Sequence, residues 1–167
     1  MQLSLHNRLL LGLSFLEGGS LMATELMSAR MLAPYFGSSL FVWATVLAIT
    51  LGGLTIGYFL GGSISQHDRR DKILLLTLLY CGILIMLMPF IAQWVLNFAH
   101  LLSFTDAVIT GGLVIILPPV IGMGMVSPLV VANLDNSAES SGKRAGLVYA
   151  ISTTGGIVFT FLFGFFE

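Results

Sequence analysis

FVWATVLAITLGGLTIGYFLGGS, residues 41–63, contains no charged side chain. A helix that crosses a bilayer needs about 20 mainly apolar residues. This stretch therefore predicts one crossing by itself. Its glycines fall at Gly53, Gly57 and Gly61, with Gly52 and Gly62 beside them. Residues four apart lie on one helix face. Three glycines on one face leave a groove into which the backbone of another helix fits.

Working outward, four more apolar stretches appear, at about 9–32, 73–96, 106–132 and 145–166. The expectation is an all-α fold: one polytopic membrane helical bundle over residues 1–167, with about five transmembrane helices. Composition agrees. Charged residues make up 9% of the 167 and apolar residues 56%, whereas a soluble domain carries roughly 25% charged residues. That excludes a water-soluble monomer, and the apolar content excludes a disordered chain. A net charge of −1 supplies no basic footprint for nucleic acid. The lone Cys81 excludes an intrachain disulfide and any multi-cysteine metal site. The first stretch is too long for a cleaved signal peptide and carries Glu17, Glu25 and Arg30.

The connections are short. Residues 33–39, Ala-Pro-Tyr-Phe-Gly-Ser-Ser, read as a turn because proline and glycine interrupt helices. Residues 65–72 form the densest charge run, with Asp68, Arg69, Arg70, Asp71 and Lys72. Residues 133–144 form a polar loop ending in Lys143 and Arg144. With five crossings, Arg8, Arg69, Arg70, Lys72, Lys143 and Arg144 fall on one side, against Arg30 on the other. The positive-inside rule then places the N-terminus in the cytoplasm of a cell (inner) membrane protein.

Ionisable groups at membrane depth are functional candidates by default. At about 100° per residue, Glu17, Thr24 and Ser28 share one face of the first helix, and Glu25 lies on the adjacent stripe. This polar arc has to point into the bundle. Three roles stay open for Glu25: a packing residue bonded to serines or backbone, a binder of a cation or proton, or part of an interface with a second chain. The five-residue spacing from Glu25 to Arg30 is poor for a pair on one helix. A second glycine-like face is expected on the last helix, at Gly142, Gly146, Ala150 and Thr154. The fourth stretch contains Pro118, Pro119 and Pro128, and each removes a backbone donor. Breaks of that kind line sites in transporters.

His6, His67 and His100 sit on separate elements without metal-ligand spacing, so no metal site is expected. There is no phosphate-binding loop, no nucleophile elbow and no nucleophile–base set. The chain reads as a non-enzyme without cofactor.

Two blocks resemble one family. The first runs from Glu25 through Arg30, Pro34, Tyr35, Phe36 and Gly37 to the Gly53–Gly62 region. The second is Gly122-Met-Gly-Met-Val-Ser-Pro128, followed by Gly146-Leu-Val-Tyr-Ala-Ile-Ser-Thr-Thr-Gly155-Gly156. Together they are similar to the membrane region of the fused major-facilitator-like/spermidine synthase proteins. That resemblance implies a bundle like part of a major facilitator half, with Asp68-Arg69 matching the acidic–basic pair of the loop after helix two. At Ser152 the family pattern more often has asparagine. Residues of an aminopropyltransferase domain are absent from this sequence, so polyamine synthesis does not carry over.

The resulting expectation is an integral membrane subunit or anchor module of a larger assembly. Its partners would be the lipid bilayer and other protein subunits or further copies of itself. The alternative is a small oligomeric transporter or conduit for a cationic metabolite such as a polyamine, with a small-molecule ligand.

Overall fold

The computed structural model describes residues 5–98, 101–134 and 141–165. They form six helices: α1 (Leu5–Phe36), α2 (Leu40–Ile64), α3 (Arg70–Phe98), α4 (Phe104–Ile115), α5 (Leu117–Asn133) and α6 (Ser141–Phe165). No strand occurs among the described residues. Helices α1, α2, α3 and α6 are each long and apolar enough to cross a membrane. Helices α4 and α5 meet the same test only as a pair, bent by 44° at Ile116, which is the geometry of a broken span or a re-entrant loop.

The prolines explain the bend in part. Pro118 and Pro119 occupy the first turn of α5, where a missing N–H breaks no helical bond. The same two residues cannot donate back to the carbonyls of Val114 and Ile115, so α4 cannot run on. Pro128 is different. It was expected to break the helix, yet α5 continues through it to Asn133. One lost hydrogen bond is tolerated because neighbouring helices enclose this part of α5, burying Val126, Ser127 and Leu129.

Three expected boundaries also shift. The turn at 33–39 shrinks to Gly37–Ser39, because α1 continues through Pro34 to Phe36. Gly37 then ends α1 at φ +72°, donating to the Ala33 carbonyl at 2.8 Å, the left-handed C-terminal geometry glycine favours. Ser39 caps α2 by accepting from the Val42 N–H. Arg70 and Lys72 belong to the first turn of α3 rather than to a loop. Lys143 and Arg144 belong to the first turn of α6, and Arg144 donates to the Leu134 carbonyl at 2.8 Å.

Helix α5 is the centre of the bundle, packed on α2 and α3, while α1 and α6 pack closely on each other. The glycine groove of α2 is filled by α5 as its spacing predicts. A methyl group on Gly57 would meet the Ile121 carbonyl and the Gly124 Cα, one on Gly61 the Met125 carbonyl, and one on Gly53 the Val120 side chain. The α6 expectation needs correcting. Gly146 and Gly142 face open space, and α6 instead turns Gly155 and Gly156 inward, against Phe15, Gly18 and Met22 of α1. The outer faces are apolar, as Leu75, Leu79, Ile83, Met86 and Phe90 on α3 illustrate. Such a surface suits lipid rather than water.

Candidate functional site: the polar arc of the first helix

Helix α1 turns its polar arc inward. Ser14, Glu17, Thr24, Glu25 and Ser28 are all buried. Two of the hydroxyls are absorbed locally: Ser14 donates to the Leu10 carbonyl and Ser28 to the Thr24 carbonyl. The two carboxylates have opposite fates.

Glu17 is held. Its Oε2 accepts from Ser152 Oγ of α6 at 3.0 Å and from Ser127 Oγ of α5 at 3.4 Å. Gly18 makes this possible. A methyl group there would fall on the Ser152 carbonyl, so only glycine lets α6 approach near enough to donate. Bonds to an ionisable group are among the stronger neutral-to-charge contacts a helix bundle can make.

Glu25 is not held. Leu21, Ala29 and Leu32, one turn either side of it and beyond, belong to the main hydrophobic core. Glu25 keeps 8% of its surface exposed and makes no hydrogen bond among the described residues. Thr50, 2% exposed on α2, has a hydroxyl with no hydrogen-bond partner. Other threonines and serines inside these helices (Thr45, Thr55, Ser63, Thr77, Thr154 and Thr160) donate to the carbonyl four residues back. Thr50 departs from that habit.

Arg30 does not join the arc. It is exposed, and its guanidinium donates to the Phe163 carbonyl of α6 at 3.0 Å. The reason is its angular place: five residues after Glu25 is about 140° round the helix. Asp68 and Arg69 lie exposed between α2 and α3, and Arg70 opens α3, all at the end of the bundle remote from Arg30.

Beside Glu17 a cleft of about 350 Å³ opens between α1, α2 and α6. Tyr58, Tyr149, Ser152, Thr153 and Thr160 line it together with Gly18 and Met22. The rings of Tyr58 and Tyr149 meet edge to face, 6.3 Å apart. Among the described residues, no three His, Cys, Asp or Glu side chains come together as a metal site. Sequence reasoning missed the site roles of Thr50, Tyr58 and Tyr149 and the convergence of Ser127 and Ser152 on Glu17. Their one visible signal is a hydroxyl in an apolar run.

No protein-family profile, curated protein or solved structure matches this chain.

Proposed function

We propose that this chain is an integral membrane subunit or anchor module of a larger assembly, a relative of the membrane region of the fused major-facilitator-like/spermidine synthase proteins. One observation carries the reading. The α6 face with Gly142, Gly146, Ala150 and Thr154 at four-residue spacing is left uncovered by the rest of the chain. Small residues at that spacing let another helix approach closely in lipid. The adjoining cleft between α2 and α6 supplies hydroxyls for a partner helix to bond. The N-terminus is cytoplasmic in this reading, because six of the seven Lys and Arg residues lie at one end. The chain itself carries no catalysis.

The test is extraction from native membranes in mild detergent, with mass spectrometry of what co-purifies. A stoichiometric partner or a homo-oligomer is expected, and Ala150→Leu should release it while the single chain stays folded. A monodisperse single copy from the unaltered protein would overturn the reading.

A second reading is favoured by a different observation: a carboxylate, Glu17, beside a cleft that presents two tyrosine rings. That combination suits an ammonium-bearing metabolite such as a polyamine, and the chain would then be a small oligomeric conduit. Polyamine flux into vesicles carrying the reconstituted protein should fall in Glu17→Gln. Unchanged flux removes this reading.

A further inference from the structure

Three oxygen groups of the bundle have no hydrogen-bond partner among the described residues. The first is the Glu25 carboxylate, whose oxygens keep some access to the surface, and the second the fully enclosed Thr50 hydroxyl. The third is the carbonyl of Ile115. Its helical donor four residues on is Pro119, and three residues on is Pro118, neither of which has an N–H. The next N–H, of Val120, already donates to the Ile116 carbonyl at 3.2 Å.

These groups lie at one depth. Phe104 packs against both Phe36 and Phe41, with ring centroids 5.9 and 6.0 Å apart, so the ends of α1, α2 and α4 share a level. Counting from those rings, Glu25 is 11 residues along α1, Thr50 is 9 along α2 and Ile115 is 11 along α4. At about 1.5 Å per residue, each is roughly 14–17 Å from the cluster. They also face one core. Leu21, Ala29 and Leu32 flank Glu25, Val46 and Ile49 flank Thr50, and these residues pack in a single cluster with Ile115 and Ile116. Thr24 and Ser28 are buried beside Glu25 as well, and the Ser28 proton is taken by the Thr24 carbonyl.

We propose that Glu25, Thr50 and the Ile115 carbonyl form a binding site for a small monovalent cation of the sodium class, at the bend between α4 and α5. The ligand set is all oxygen, as a hard cation requires. One carboxylate balances one positive charge, whereas a divalent ion would stay uncompensated in an apolar core. The carbonyl freed by the helix break is the kind of donor that broken membrane helices offer to such ions. The site is separate from Glu17, whose Oε2 the two serines already occupy. It holds under either functional reading, because a bound ion stabilises the bundle whether or not anything crosses it.

The experiment is thermal unfolding of the detergent-purified full chain in sodium chloride, against N-methylglucamine chloride at equal ionic strength and several pH values. Sodium should raise the midpoint by a few degrees, with a saturable dependence on concentration. Glu25→Gln should abolish the shift. Thr50→Val, which keeps volume and loses the oxygen, should raise the sodium concentration for half effect roughly tenfold or more. Glu17→Gln should leave the sodium dependence in place. An unaltered protein indifferent to sodium overturns the site, as does one that responds to pH alone, which would mark Glu25 as a protonated carboxyl. If Glu25→Gln does not fold, Thr50→Val decides: an unchanged sodium response in it also overturns the proposal.

Discussion

Ser127 and Ser152 each own one hydroxyl proton, and both direct it to the same oxygen of Glu17. A hydrogen bond contributes roughly 0.5–1.5 kcal/mol, and a buried acceptor left bare costs about 1–3 kcal/mol. Ser152→Ala is therefore expected to lower stability by ~2 kcal/mol, with a smaller loss for Ser127→Ala at its longer distance. Thermal unfolding in detergent at fixed sodium measures both. At this scale the sequence was half legible. Glu17 and Glu25 announce themselves because an ionisable group in an apolar run is costly. Ser152 and Thr50 do not, because most hydroxyls in these helices simply bond their own backbone, as Thr154 does with the Ala150 carbonyl. Only the tertiary arrangement reveals which hydroxyl is redirected and which is left over.

Among the elements, α6 shows where pattern reading stops. It carries small residues on two faces, Gly142–Gly146–Ala150–Thr154 and Ser152–Gly155–Gly156. Four-residue spacing identifies each face as close-packing but does not say which one this chain uses. The choice falls to α1, whose Gly18 accepts the second face. The groove of α2 was readable because only Gly53, Gly57 and Gly61 repeat at four-residue spacing, while Gly52 and Gly62 lie off that face in open space. The difference is measurable. Gly57→Ala puts a methyl group against the Ile121 carbonyl and should cost about 2–3 kcal/mol through overpacking. Gly146→Ala meets open space and should stabilise the isolated chain by roughly 0.5–1 kcal/mol, the helix-propensity gain. Unfolding midpoints of the two variants side by side test this. The bend at Ile116 gives a further prediction. Pro119→Ala restores the N–H that the Ile115 carbonyl lacks, so it should straighten the α4–α5 passage. The variant should unfold at a higher temperature without sodium and respond to sodium less than the parent does.

For the whole molecule, the four long apolar helices and the bent α4–α5 pair came directly from hydropathy, since nothing but a helix satisfies its own backbone in lipid. What hydropathy could not show is that the passages close around α5, with α1 meeting α6. A simple labelling measurement fixes the orientation. Arg69→Cys and Lys143→Cys should react with an impermeant maleimide only from the cytoplasmic side, and Ser38→Cys only from the opposite side. Buried Cys81 adds little background. Labelling with the sides exchanged would reverse the topology and leave the helix packing as described.

The bond between Glu17 and Ser152 spans 135 residues of chain. A ribosome makes about 5–20 residues per second, so the carboxylate is synthesised roughly 7–27 s before its donor exists. During that interval the first helix carries an unsatisfied acid into the translocation machinery, with α2 to α5 arriving one by one. Ser127 on α5, 110 residues after Glu17, is the first of the two donors to be made. A nascent chain stalled before Ser127 holds a Glu17 carboxylate with neither of its donors, which makes it a substrate for membrane quality control.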